Sequence, residues 1–455
     1  MIIGAKRRIL CNLSITSIPN LEIDGNVSLR LSSICEKASL IGYRSLLQPR
    51  GRQHELPTSD FPVPQTYVCR NSACLPRRPF QLPIAYPTKL ASICLHGRRV
   101  YSHDLRFVLN PATGGLTPCP GSPFNERLDP SALAVDPAGR FRFVANRSTS
   151  DVSAFVINQT SGALTAAPNS PYAAGMGFNP NVLTTDPFGK FLYVGNTYFH
   201  MVGASKGELD VYSIDPVTSA LTPSANSLTT PAVGPSNPVG IFAHPSGKWL
   251  YVLGAQASLP ESVIVQQFLI DPTTGELGGG VTYNGIEQAR SLGATPTGAF
   301  IYLGERANRG GIETIAISPV NGSLNLVADL PLQPFFPNSI TVDPSARYVF
   351  STAGTYSIDP MTSTLSPNPN NSNLASNGFV PWVADRIGEF VFTGDPAGKS
   401  AVLNSFQIDS TSGLLTAAPG SPYTTSAVVQ AIAVTSAVPP GFAVALVGPL
   451  AASES

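Results

Sequence analysis

Asp186-Pro187-Phe188-Gly189-Lys190-Phe191-Leu192-Tyr193-Val194-Gly195-Asn196 is the stretch on which the reading turns. It opens with turn chemistry: Pro presets φ, Gly accepts φ > 0, and a leading Asp can hydrogen-bond its own backbone. It closes on the β-branched and aromatic residues of a short strand. The pattern returns as Asp136 to Phe141, His244 to Trp249 and Thr295 to Phe300, with looser copies at Asp343 to Tyr348 and Asp385 to Phe390. The aromatic residue is present in all six copies.

A second motif, Asp/Asn-Pro-x-Thr-Gly-x-Leu, starts at Asn110, Asn158, Asp215, Asp271, Ser318, Asp359 and Asp409. Its final Leu recurs as Leu116, Leu164, Leu221, Leu277, Leu324, Leu365 and Leu415. Copies of either motif lie 41 to 58 residues apart, the size of a propeller blade and too long for an ankyrin or leucine-rich repeat. Between the motifs lie strand-like segments such as Ala132 to Val135, Phe141 to Ala145, Val152 to Ile157 and Ala163 to Ala166. Each unit is therefore expected to hold four antiparallel strands, A to D, with the first motif turning A into B and the second turning C into D. Six complete units run from about Asp129 to Ser426. A seventh is expected to be split, with Asp104 to Thr117 giving strands C and D and Val429 to Thr435 and Phe442 to Val447 giving A and B. The expected fold is all-β: a seven-bladed β-propeller of four-stranded antiparallel blades, closed by a split N/C-terminal blade.

Composition agrees. Charged residues make up only 12% of the 455 and the net charge is zero, which argues against a general nucleic-acid or acidic-membrane binder. No unbroken apolar segment suits an export signal or a membrane span. The location stays open, because low charge with abundant Ser, Thr, Asn and Gly is a composition associated with exported proteins. Residues 1–106 hold 15 of the 28 Lys/Arg but 6 of the 28 Asp/Glu, a balance of +9 against −9 for the remainder. Residues 1–100 lack the repeat and are rich in Pro, so they are expected to be a poorly ordered extension. Cys69 and Cys74 have no second ligand pair at zinc-site spacing. The propeller is expected over 101–449, with a tail at 450–455.

The run Lys190 to Asn196, its repeat Trp249 to Val252, the Asp-Pro-x-Thr-Gly-x-Leu turns and the Gly-Ser-Pro-Phe/Tyr tags at Gly121 to Phe124 and Gly420 to Tyr423 resemble the lactonase-type seven-bladed propellers. That 6-phosphogluconolactonase-like group and the related YVTN-repeat propellers match over about residues 104–448. The resemblance implies a His at the start of an inner strand, in a Gly-Pro-Arg-His-like stretch, with an Arg and a Glu at B-strand ends. Here the Arg position is Val239 and the His position is Gly240. The other blades carry Ala132, Val182, Ser291, Ser339, Pro381 and Ala431 at the His position, and the Glu position falls near Ala255. Only Glu305-Arg306, with Arg309-Gly310 just beyond, has a counterpart.

A-to-B and C-to-D turns must share one face of a propeller, leaving the B-to-C and D-to-A loops on the other, where function is expected. The longest B-to-C loops are Asn196 to Gly207, Gly254 to Glu261, Gly304 to Gly311 and Thr393 to Ser400. Lactone hydrolysis needs a base and a cation for the developing oxyanion. The candidates are His200 as base, Arg306 as cation and Glu208 as acid. Tyr198, Lys206, Gln256, Glu305 and Arg309 are candidate ligand contacts. His244 stands where other blades have Asp and is read as a turn cap. No cofactor or metal site is expected. The primary expectation is a lactonase-like scaffold that binds a small lactone or sugar-derived ligand, or a protein, as a monomer. A lactone hydrolase with a relocated site and a YVTN-type surface adhesion propeller are the alternatives.

Overall fold

A computed structural model of the chain describes residues 67–70, 73–76, 89–96 and most of 103–435. Within that last span it leaves out 120–121, 123, 126–128, 160, 176–178, 198–206, 226–231, 236, 257–258, 306–309, 333–334, 370–373, 375–377, 379, 396–399 and 426–427. The chain divides into two compact units, Met1–Ala85 and Tyr86–Ser455. In the first, Tyr67–Arg70 pairs with Ala73–Pro76 as an antiparallel hairpin that sets Cys69 opposite Cys74.

The second unit is a β-propeller of four-stranded antiparallel blades. In blade 1, strand A is Pro130–Val135, B is Phe141–Asn146, C is Asp151–Ile157 and D is Leu164–Ala166. The A strands of blades 2 to 6 are Asn179–Thr185, Pro238–Ala243, Ala289–Ala294, Ile340–Val342 and Trp382–Ala384. All six sheets run A-B-C-D in order. The inner A strands pack against one another in sequence, and Val428–Val434 lies between those of blades 6 and 1. These A strands are buried, as are the B strands outside them, so core clusters form between adjacent blades.

The turn motifs act as the sequence implies, with one refinement. In the C-to-D turns the leading Asp makes the expected Asx contact: Asp215 Oδ1 accepts from Val217 N and Thr218 N at 3.0 and 2.7 Å. In the A-to-B turns the Asp makes a similar contact, Asp186 Oδ2 accepting from Phe188 N at 3.1 Å, and also reaches across. Asp186 Oδ1 accepts from Lys190 N and Phe191 N at 2.6 and 2.8 Å, so it ties strand A to the start of strand B. His244 stands at the Asp position in blade 3 and keeps only the near contact. Its Nδ1 accepts from Ser246 N at 3.1 Å and its Nε2 faces the Gly298 carbonyl at 3.1 Å, a pattern that suits the neutral Nε2–H tautomer. Desolvation pushes its pKa below the usual histidine value.

The two motifs also meet in space, on different blades. The aromatic of one A-to-B motif lies beneath the Gly of the next blade's C-to-D turn. A Cβ on Gly275 would come within 2.5 Å of the Phe191 ring, one on Gly322 within 2.7 Å of Trp249, and one on Gly413 within 2.6 Å of Tyr348. All three glycines have φ between 69° and 75°, so the turn and the close approach both demand Gly. The Tyr of the following strand adds a bond, with Tyr251 Oη donating to Gly322 O at 2.7 Å.

Val428–Val434 belongs to a further sheet, and its composition differs from expectation. Its neighbour is Lys89–His96, followed by His103–Leu109 and Leu116–Pro118. The strand-B place assigned from sequence to Phe442–Val447 is thus taken by a segment assigned to the extension. Lys89–His96 comes next before His103–Leu109 along the chain, and the two strands pair antiparallel. Residues 442–447 lie outside the described residues. On the turn face, Arg386 of blade 6 donates to the carbonyls of Asp136 and Pro137 in blade 1, the former at 3.1 Å. Burial pushes its guanidinium down to about 10, so it stays charged at neutral pH.

Candidate functional site at the loop-face mouth

The inner strands share an irregularity at their loop-face ends. Pairing with strand B skips one residue between Pro130 and Ala132, Pro180 and Val182, Pro238 and Gly240, and Ala289 and Ser291. Val428–Val434 skips one between Val429 and Ala431. The bulged residues are Ser131, Asn181, Val239, Arg290 and Gln430. A bulge bends its strand and re-aims the side chain it carries, here at the same level around the ring.

Several of these side chains lace neighbouring blades. Ser131 Oγ donates to Pro180 O and Asn181 Nδ2 to Pro238 O, each at 2.7 Å. Arg147, at the end of the blade 1 B strand, donates from Nη2 to Asn181 Oδ1 at 2.5 Å. Thr197 Oγ1 donates to Asn237 Oδ1 at 3.1 Å, extending the polar rim to blade 3. Arg147 and the half-buried Arg290 therefore stand at the loop-face strand ends of blades 1 and 4.

Carboxylates gather in two places below this rim. In blade 2, Asn196 Nδ2 donates to Asp210 Oδ2 at 2.6 Å, and Glu208 is the cross-strand partner of Asn196. Desolvation, reinforced by the Glu208 charge, pushes Asp210 up to about 7. In blade 4, Glu305 and Glu313 share a neighbour in Tyr283, whose hydroxyl is raised by burial and then by both carboxylates.

Among the eight sequence candidates, Tyr198, His200, Lys206, Arg306 and Arg309 lie outside the described residues. Glu208 and Glu305 are on strands and are not brought together, because blade 3 stands between their blades. Gln256 is not in a loop. Strand B of blade 3 runs to Gln256 and strand C begins at Leu259, so the expected Gly254 to Glu261 loop is an extended hairpin. Gly240, at the family His position, directs its Cβ position at Leu292 Cβ, 3.2 Å away, and at Leu253 Cβ, 3.4 Å away. The equivalent Ala132, Val182 and Ser291 are also buried. Sequence reasoning missed Arg147, Asn181 and Arg290. A signal was available for the last two: each bulged residue of blades 1 to 4 stands six positions before the Pro of its turn motif, usually just after another Pro.

No family profile and no curated protein matches this chain in sequence. Solved structures do match in shape. A candidate 6-phosphogluconolactonase from Bacteroides uniformis has a TM-score of 0.61 at 15% identity, covering 77% of this chain and 100% of its own. One from Bacteroides fragilis has 0.61 at 17%, covering 78% and 100%. The periplasmic gluconolactonase of Pseudomonas aeruginosa has 0.58 at 17%, covering 77% and 99%. The shared architecture is the β-propeller fold. At such identities the likeness is one of fold.

Proposed function

We propose that this chain is a seven-bladed lactonase-type propeller whose loop-face mouth binds a small hydroxylated, anionic ligand of the sugar-acid or lactone class without hydrolysing it. The sheet joining Val428–Val434 to Lys89–His96 and His103–Leu109 is, in this reading, the seventh blade, built of one C-terminal and three N-terminal strands. The observation that carries the binding reading is Gly240. A base at this position would project into packed Leu side chains rather than toward a substrate. Arg147, Asn181 and Arg290 supply donors suited to carboxylate and hydroxyl groups.

The test uses the full chain with glucono-lactone and gluconate. The expected results are no hydrolysis above the spontaneous rate, and calorimetric binding of gluconate weakened about tenfold or more in Arg290→Ala, the loss of one charge-assisted bond. Saturable hydrolysis abolished by His200→Ala and Arg306→Ala would replace this reading with the relocated hydrolase site.

A further inference from the structure

The outer edges of the blades are not alike. Strand D is three or four residues long in blades 1, 2, 5 and 6 and in the sheet that holds Val428–Val434. In each of these a Pro stands within four residues of the first Leu: Pro168, Pro223, Pro367, Pro419 and Pro118. Pro cannot donate to a further strand, so it blunts the edge. Strand D of blade 4, Leu324–Pro331, is longer but carries Asp329 and ends on Pro331. Strand D of blade 3 departs from this rule. It runs over Leu277–Glu287 with no Pro and no charged residue before Glu287. Among the described residues its one strand partner is strand C, Leu259–Ile270. A strand paired on one side turns every second N–H and C=O outward. Its one blunting device is a bulge at Gly279, where pairing with strand C steps from Phe268–Gly280 to Leu269–Gly278. Nothing lies within 4 Å of a Cβ built on Gly279, so the bulged residue leaves a neighbouring strand room to approach.

Apolar surface collects at the same part of the rim. Among the described residues, the large apolar side chains that are exposed on strands are Leu269, Val281, Leu326 and Val327, all on outer strands of blades 3 and 4. Val281 is set opposite Gln267, whose Nε2 donates to Asn321 O of blade 4 at 2.8 Å, and Leu269 lies two residues beyond Gln267. Leu326 is set opposite Ile315, which packs in the core cluster shared by blades 3 and 4. Cross-strand partners share a face, so Leu269, Val281 and Leu326 all line the outer end of the gap between these two blades.

We propose that strand D of blade 3 pairs antiparallel with the same strand of a second copy of this chain, about a twofold axis at Val281, joining two four-stranded sheets into one. Two features fit a second copy better than an unrelated strand. Isologous pairing makes a strand meet itself, so a charge near the axis would face its like. Residues 277–286 carry none. The two halves of the strand are also complementary. An axis at Val281 sets Gly280 opposite Thr282 and Gly279 opposite Tyr283 of the other copy, so the half without side chains meets the half that bears them. An aromatic residue across from an edge glycine covers backbone that the glycine leaves bare. The two Val281 side chains, each 63% exposed in the single chain, lie side by side at the axis and shield one another. In this reading the monomer expected from the sequence is a dimer, and its interface is on the outer rim rather than at the mouth.

The experiment is sedimentation velocity on the full chain over a range of concentrations, with Val281→Lys, Val281→Glu and their equimolar mixture alongside. The unaltered chain should be a dimer at about 100 µM, with a dissociation constant of about 10 µM or tighter. Each charged variant alone sets like charges against each other at the axis and should weaken the dimer at least about a hundredfold. Mixing the two sets Lys opposite Glu and should restore the dimer, a rescue that only a twofold axis at this residue provides. Val281 is exposed, so both variants should keep the circular dichroism and Tm of the unaltered chain. Met361→Lys, in the exposed C-to-D turn of blade 5, should leave the dimer intact. A chain that stays monomeric at every concentration overturns the proposal and leaves the edge to an extended segment of another protein. A dimer that persists in Val281→Lys, a dimer lost in Met361→Lys, or a mixture without rescue would each overturn it as well.

Discussion

Gly322→Ala tests the joint between blades most directly. Gly322 sits in the C-to-D turn of blade 4 at φ +73°, and its Cβ would lie 2.7 Å from two Trp249 ring atoms and 2.5 Å from Gln267 Nε2. Holding an L side chain in the left-handed region costs roughly 1–2 kcal/mol. Forcing a methyl against a packed aromatic ring costs about 1–3 kcal/mol more. Trp249 is buried and Gly322 O already accepts the Tyr251 hydroxyl, so neither partner can move without losing another contact. A central figure is about 3 kcal/mol. With roughly 2.1 cal/mol/K of unfolding entropy per residue over about 350 ordered residues, that lowers Tm by about 4 °C. Scanning calorimetry on matched variants reads this directly. Gly278→Ala is the control: it lies on an edge strand with nothing within 4 Å of its Cβ and no positive φ, so its Tm should move by no more than about 1 °C. Equal Tm values for the two variants would refute the argument that the turn glycine and the neighbouring aromatic form one joint.

Other substitutions probe other parts of the scaffold. Gly240→His, which restores the family residue, should bring no lactone hydrolysis and should destabilise by about 1–3 kcal/mol, because its Cβ already crowds Leu292; gain of saturable turnover would contradict this. His244 is held neutral, its folded pKa lying below the unfolded 6.5. Its contribution is therefore complete above pH 6.5 and is lost as pH falls through the folded value. His244→Asp should remove that limb from a plot of Tm against pH. Arg386→Gln removes a charged donor from two blade 1 carbonyls and should cost about 1.5–3 kcal/mol, measured by urea unfolding; an unchanged midpoint would show that this cross-ring contact contributes nothing.

The fold was legible because its periodicity is carried by turn chemistry. Pro, Gly and Asp at fixed offsets dictate local backbone geometry without help from the rest of the chain, so the six complete blades and their strand order could be read from Asp136 to Leu415. The closing strand was misassigned for a related reason. Lys89–His96 and Phe442–Val447 are both short apolar runs without a turn motif of their own, and pattern alone does not say which one pairs with Val428–Val434.

The site was far less readable. Long loops drew attention to His200, Arg306 and their neighbours, while the residues at the mouth are set by a bulge one residue wide. A bulge is a property of two strands in register, and so is the burial of Asp210 beside Asn196 and Glu208. By itself the amino-acid order determined the repeating unit, its strand-like segments and its turns, since those depend on near neighbours along the chain. Only the tertiary structure decided which glycine meets which aromatic ring, where Gly240 directs a side chain and which oxygens are sealed between blades. The glycine contacts join residues about 50 to 85 positions apart, and local propensity carries no information about them.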